Sequence, residues 1–158
     1  MTGVTDRAGR GIGFGYTGDD LRSATDALGH TETFGYDGHH HLTSWTDKRG
    51  FTKYNFFDVQ GRWVGGRDKL GNESSAVFDT VNRRTVYFDK TGAPWVTTLN
   101  AQNFPASKTD PVGNRVDLQW DANFNNTRVT DARGLATVMV YDNKGNLTGR
   151  THPDSRVD

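Results

Sequence analysis

Along this chain apolar and polar positions alternate in short runs, and each run is closed by a turn signal. The fullest runs carry large apolar side chains two residues apart: Phe14 and Tyr16, Phe34 and Tyr36, Leu118 and Trp120, Met139 and Tyr141. Asn55 and Phe57, Ala76 and Phe78, and Thr97 and Leu99 fill the same slots less completely. Residues two apart share one face of a pleated strand, so each run reads as a strand with one apolar face. The intervening runs, such as Arg62-Trp63-Val64 and Arg84-Thr85-Val86-Tyr87, are richer in Thr, Val, Arg and Trp and read as the more exposed partners. Apolar spacing of three and four residues is nowhere sustained, and glycine recurs too often for a helix to form.

The turn signals are periodic. Asp-x-x-Gly recurs at Asp6/Gly9, Asp26/Gly29, Asp47/Gly50, Asp68/Gly71, Asp89/Gly92, Asp110/Gly113 and Asp131/Gly134, with glycines spaced 20 residues apart once and 21 thereafter. Seven residues past each glycine stands Tyr16, Tyr36, Phe57, Phe78, Leu99, Trp120 or Tyr141, followed in all but the first unit by Asp or Asn. A second turn begins there. Its fourth position is Gly61, Asn82, Asn103 or Gly145, residues that tolerate a left-handed backbone, whereas His40 and Phe124 in that slot predict irregular turns. Two turns per unit predict an all-β fold: an antiparallel meander of about seven stacked hairpins, roughly fourteen strands, in a curved or spiralling sheet. Residues 1–158 read as one array with a degenerate eighth start at 151–158.

Composition narrows the functional classes. Nineteen Lys and Arg balance nineteen Asp and Glu, which leaves no net charge to draw the chain onto a phosphate backbone, so nucleic acid is not an expected partner. Cysteine is absent, excluding disulfides and thiolate chemistry. No apolar run is long enough to span a membrane as a helix, and residues 1–4 do not open a signal peptide. Hydrophobic content of 33% is low for a packed globule, yet aromatic residues locked to a fixed period suit a sheet with one packed and one wet face.

Thr130-Asp131-Ala132-Arg133-Gly134 followed by Tyr141-Asp142-Asn143-Lys144-Gly145-Asn146-Leu147 resembles the YD repeat, also called the RHS repeat. Tyr36-Asp37 and Tyr141-Asp142 keep the dipeptide that names the family, Phe57-Asp58, Phe78-Asp79 and Trp120-Asp121 depart from it conservatively, and Leu99-Asn100 departs further. The similarity covers roughly residues 5–155. It implies a section of the hollow β-hairpin shell found in bacterial RHS proteins, insecticidal toxin complexes and teneurins, secreted or displayed at a cell surface and, in the bacterial cases, enclosing a toxic polypeptide. Its implied partners are adjacent repeats of a longer chain and an enclosed toxin or other cargo. The register lapses at His152 and Ser155, which suggests an excised segment whose open strand edges pair with further repeats or with a second copy.

Candidate chemistry must stand out from the repeat. In His39-His40-His41, a strand would place His39 and His41 on one face, where they could bind a transition metal with Asp37 or Asp19; a solvated turn is the plainer reading. Asp110-Pro111-Val112-Gly113 matches the letters of an aspartyl self-cleavage motif associated with bacterial RHS proteins, but it also falls on the regular turn register. Ser74-Ser75 has no histidine in register, and Gly11-Ile12-Gly13-Phe14-Gly15 leads into a strand, not into the helix a phosphate loop needs. Trp45, Trp63, Tyr87 and Trp95 could stack on sugar rings, which makes a glycan-binding or cell-surface interaction module the second reading. A metal-dependent enzyme at the tri-His turn is the third, with the Pro94/Pro105 region as another place to look. The leading expectation is a non-enzymatic scaffold without a cofactor.

Overall fold

Most turns are built by one aspartate, and that is why strands follow one another at such short intervals. In the computed structural model, which describes residues 2–154, Asp47 donates its backbone N–H to the Phe51 carbonyl (2.9 Å) and accepts from Gly50 N–H (2.9 Å). Its Oδ1 accepts from the N–H groups of Arg49 (2.9 Å) and Phe51 (3.1 Å). The second turn repeats the geometry: Asp58 Oδ1 accepts from Gln60 N–H (3.0 Å) and Arg62 N–H (2.9 Å). One carboxylate oxygen thus satisfies two turn donors, the role for which Asp is favoured at turn starts.

Two compact units emerge, the first reaching Ser75 and the second beginning at Ala76. The first holds β1 (Thr2–Thr5), β2 (Gly11–Thr17), β3 (Asp20–Thr25), β4 (Thr31–Tyr36), β5 (Leu42–Thr46), β6 (Thr52–Phe57) and β7 (Trp63–Arg67). The division falls within β8 (Glu73–Asp79), and the second unit holds β9 (Arg84–Phe88), β10 (Pro94–Leu99), β11 (Pro105–Thr109), β12 (Arg115–Trp120), β13 (Asn126–Thr130), β14 (Ala136–Tyr141) and β15 (Leu147–Thr151). Every strand is antiparallel to its neighbour and hydrogen-bonded in chain order, from β1 to β15, as an open meander. Among the described residues there are fifteen strands, one more than two per unit predicts.

The pairings across the second turns share a feature absent from the alternation in sequence. The register slips between Gly15/Tyr16, Gly35/Tyr36, Phe56/Phe57, Thr98/Leu99, Gln119/Trp120 and Val140/Tyr141, always immediately before the aromatic slot. A bulge at that point re-aims the slot side chain. In the second unit the re-aimed tips tie each hairpin to the one before: Trp120 Nε1–H donates to the Pro105 carbonyl (2.8 Å) and Tyr141 Oη–H to the Asn126 carbonyl (3.0 Å). Both acceptors open the second strand of the preceding hairpin. In the first unit Phe57 has no polar tip, and Asn55 Nδ2–H supplies the bond to the Leu42 carbonyl (3.0 Å). A net contribution of about 1 kcal/mol per bond is expected.

Three sequence expectations are corrected. His40 (φ 65°) and Phe124 (φ 67°) adopt the left-handed conformation themselves, and their turns keep the regular hydrogen bonds, His40 N–H to Asp37 O (3.3 Å) and Phe124 N–H to Asp121 O (3.2 Å). At the β8–β9 turn the left-handed residue is Arg83 (φ 49°), not Asn82, because Asn82 instead donates its N–H and its side-chain amide to Asp79. Finally, the strands after the second turns are not the more exposed ones. Gly65, Gly66 and Ser107 on β7 and β11 are buried, since small residues let neighbouring side chains lie over them, as the Phe56 ring does above Gly65.

The core is thin. Among the described residues the only buried hydrophobic side chain is Ala76, while Phe56, Val77 and Val140 remain about half exposed. Stability therefore resides in backbone ladders, turn aspartates and inter-hairpin contacts.

Candidate functional site

The His39–His41 and Asn100–Phe124 exceptions to the repeat lie in second turns or at the strand ends beside them. In regular turns the residue four past the aspartate clamps its Oδ2: Arg62 Nε–H reaches Asp58 at 2.8 Å, Asn125 Nδ2–H reaches Asp121 at 2.9 Å and Asn146 Nδ2–H reaches Asp142 at 2.9 Å.

The tri-histidine run is a turn, not a strand. His41 takes the clamp position with Nδ1 2.9 Å from Asp37 Oδ2, and its ring stacks on Phe57 of the next hairpin (centroids 4.7 Å, 20°). That hydrogen bond holds the Asp37 carboxyl at about 2, well below the usual carboxylate range. His40 reaches back to the first hairpin, its Nδ1 lying 2.8 Å from Oδ1 of Asp20, a buried carboxylate also paired with Arg22 (3.1 Å). The bond to Asp20 raises the His40 imidazole above its ordinary value. His39 lies 6.0 Å from His41, ring to ring. Among the described residues no group of three or more His, Cys, Asp or Glu could hold a metal ion.

The aspartate of the Asp110-Pro111 step performs ordinary turn duty. Oδ1 accepts from Val112 and Asn114 N–H (3.0 and 2.8 Å), and Oδ2 accepts from Asn114 Nδ2–H (2.7 Å), the bond that holds its pKa below normal.

The four candidate stacking aromatics do not form one platform. Trp45 on β5 lies opposite Phe34 and Lys53, with the Lys53 ammonium 5.3 Å from its ring centroid, and its indole nitrogen is buried without a hydrogen-bond partner. Trp63 on β7 pairs across from Phe57 and donates Nε1–H to Asn55 Oδ1 (3.3 Å). Tyr87 and Trp95 are brought together as direct partners on β9 and β10, 39% and 47% exposed.

A further concavity lies between the second turns of the fifth and sixth repeats. A cleft of about 400 Å³ is lined by Asn100, Gln102, Phe104, Trp120, Asp121 and Phe124, among others. Phe104 packs on Trp120 (centroids 5.3 Å, 40°) and on Phe124 (5.0 Å, 25°). Phe104 sits in the clamp position of a turn begun by Asn100, so carboxylate and clamp are replaced together. Phe124 occupies the left-handed slot held by Gly61 and Gly145 in other repeats. A bulky residue there costs about 1–3 kcal/mol, of which one aromatic pair returns about 0.5–1.5 kcal/mol. Leu99, Asn100 and Phe124 were visible in the sequence as departures from the repeat; Phe104 and Gln102 were not singled out, although a phenylalanine in the clamp position is the signal that could have found the first.

Against known proteins, residues 124–157 match the family model of the RHS repeat. Over those residues the chain is similar to an RHS repeat. The earlier units share its turn register, as the resemblance of Tyr36-Asp37 and Tyr141-Asp142 implied. No curated protein matches the sequence. Among solved structures, the chain is similar in fold to the TcdB2-TccC3-TEV crystal structure (TM-score 0.55, 11% identity), covering 94% of this chain and 11% of that one. It is also similar to the Photorhabdus luminescens Tc holotoxin pore (TM-score 0.54, 14% identity, 90% and 9%) and to the TcdB2-TccC3 crystal structure (0.52, 12%, 90% and 10%). The chain spans about a tenth of the length of these proteins. No helix among the described residues is long and apolar enough to cross a membrane.

Proposed function

We propose that this RHS array is a wall segment of a larger shell that encloses a toxin or other cargo polypeptide, in a secreted or cell-surface protein. The observation that carries the reading is the thin core: a sheet whose only buried hydrophobic side chain among the described residues is Ala76, with Phe56, Val77 and Val140 half exposed, is built to be covered by something else. The turn carboxylates support a scaffold role, because turn N–H groups occupy Oδ1 of Asp37, Asp58, Asp110, Asp121 and Asp142. The strand order adds to it, since a meander that pairs strictly in chain order is an architecture that repeats can extend.

Limited proteolysis of the complete polypeptide containing this array is the test. The cargo segment should resist digestion while the repeats are folded and become sensitive when mild denaturant opens them. Digestion of that segment at the same rate in native and denatured protein would refute enclosure.

A further inference from the structure

We infer that the cleft walled by Phe104, Trp120 and Phe124 binds the quaternary ammonium group of a small choline-like cation. Three departures from the repeat converge on it. Asn100 replaces a turn aspartate, Phe104 replaces the clamp that would have bound that aspartate, and Phe124 replaces a glycine-type residue in the left-handed slot. At the corresponding place in the first unit His41 fills the space, and a Cβ on Gly61 would lie 2.9 Å from its Nε2. In the second unit the Phe104 and Phe124 rings stack there instead. Phe124 is 60% exposed, so burial does not account for a phenylalanine held at φ 67°.

Charge selects the ligand class. Of the described residues that line the cleft, Asp121 is the charged one, and no Lys or Arg joins it; the Arg83 guanidinium is bonded to the Asn100 carbonyl (3.1 Å). The Asn125 side-chain amide holds the Asp121 carboxyl below its ordinary range, so the cleft is negative near neutral pH. Aromatic faces attract cations as well, whereas an uncharged apolar guest would strip water from the carboxylate and return no charge. Hydrogen bonding narrows the choice among cations. Asp121 Oδ1 already accepts from Asn123 and Asn125 N–H (2.8 and 2.9 Å) and Oδ2 from Asn125 Nδ2–H (2.9 Å), so three of roughly four acceptor sites on the carboxylate are taken. The turn carbonyls are engaged too, Asn100 O by Asn103 N–H and Asp121 O by Phe124 N–H. A primary ammonium or a guanidinium, which must donate, finds few acceptors here. A quaternary ammonium donates nothing and is held by charge and ring faces alone. About 400 Å³ admits such a group with a short polar tail, and Asn100, whose Oδ1 caps Gln102 and Phe104 N–H, can offer its Nδ2 to a hydroxyl on that tail.

Titration of the 158-residue chain with choline, followed in amide-correlation NMR spectra, tests the assignment. Choline should bind saturably and shift the Trp120 indole and Asn100 side-chain amide signals together. Its uncharged isostere, in which a quaternary carbon replaces the nitrogen, and its primary-amine analogue ethanolamine should each bind at least about tenfold more weakly. Asp121→Asn keeps the turn cap, as Asn100 does in its own turn, but removes the charge, and should bring choline down to the affinity of the isostere. Phe124→Gly installs the residue found at Gly61 and Gly145, so it should keep the folded spectrum and yet weaken choline binding at least about tenfold. The assignment is overturned by the absence of saturable choline binding, by an isostere or ethanolamine that binds as tightly as choline, by choline affinity unchanged in both variants, or by signals that respond to phosphatidylcholine vesicles and not to choline.

Discussion

Individual side chains divide here into those that make turns and those that join hairpins. A carboxylate in this chain is chiefly a turn-maker: Asp142, for example, caps Lys144 and Asn146 N–H through Oδ1 and receives Asn146 Nδ2–H on Oδ2. The aromatic slot joins hairpins through its polar tip as well as its ring. Tyr141→Phe keeps the ring and deletes the bond to the Asn126 carbonyl, so the loss should be about 1 kcal/mol in urea unfolding, with an unchanged spectrum of the folded state. The His40–Asp20 pair makes a pH-dependent contribution whose sign follows from the raised imidazole. The contribution is fully present below the ordinary histidine value of 6.5 and fades as pH rises through the higher folded value. Melting temperature should therefore fall between pH 6 and pH 8, a range bracketing the ordinary histidine pKa of about 6.5, and His40→Asn should flatten that slope. Arg22, Asp19 and Asp37 complete the charged surroundings; because the imidazole is largely exposed, the effect should shrink in high salt.

Strands and turns were legible in the sequence because their causes are local. An Asp with Gly three residues on, and large apolar residues two apart, each dictate a conformation without reference to the rest of the chain. The slips before Tyr36, Trp120 and Tyr141 were not legible, because a bulge belongs to a pair of strands and leaves no mark on either alone. The turns at His40 and Phe124 failed as predictions of irregularity for a related reason. Neighbouring hairpins supply contacts, Asp20 for His40 and the Phe104 ring for Phe124, that offset the strain of the left-handed backbone. The same physics explains the site. Phe104, Trp120 and Phe124 come from three turns or strand ends, and only chain-order stacking shows that they share a wall. The cross-strand neighbours Tyr87 and Trp95 were both named from sequence, but their direct opposition depends on a β9–β10 register that sequence leaves open.

For the molecule as a whole, the repeat length is a structural constraint. Removing residues 111–131 joins Asp110 to Ala132-Arg133-Gly134, which restores a complete Asp-x-x-Gly turn and keeps every strand on its own face. That deletion should yield a folded chain by circular dichroism with modestly lower stability, as expected when stability is a sum over repeats. Deleting Val129 alone should do more damage than removing all 21 residues, because a one-residue slip turns part of β13 inside out. A melting temperature lower for the long deletion than for the single one would contradict this.

Pairing strictly in chain order has a further consequence. Since each strand bonds only to its immediate predecessor and successor, no strand must thread past another for the sheet to come apart. Pulled from either end, the polypeptide should peel hairpin by hairpin, each at a similar low force, and reel back in when the load is released. A sheet assembled this way could be unstitched from one end without being broken.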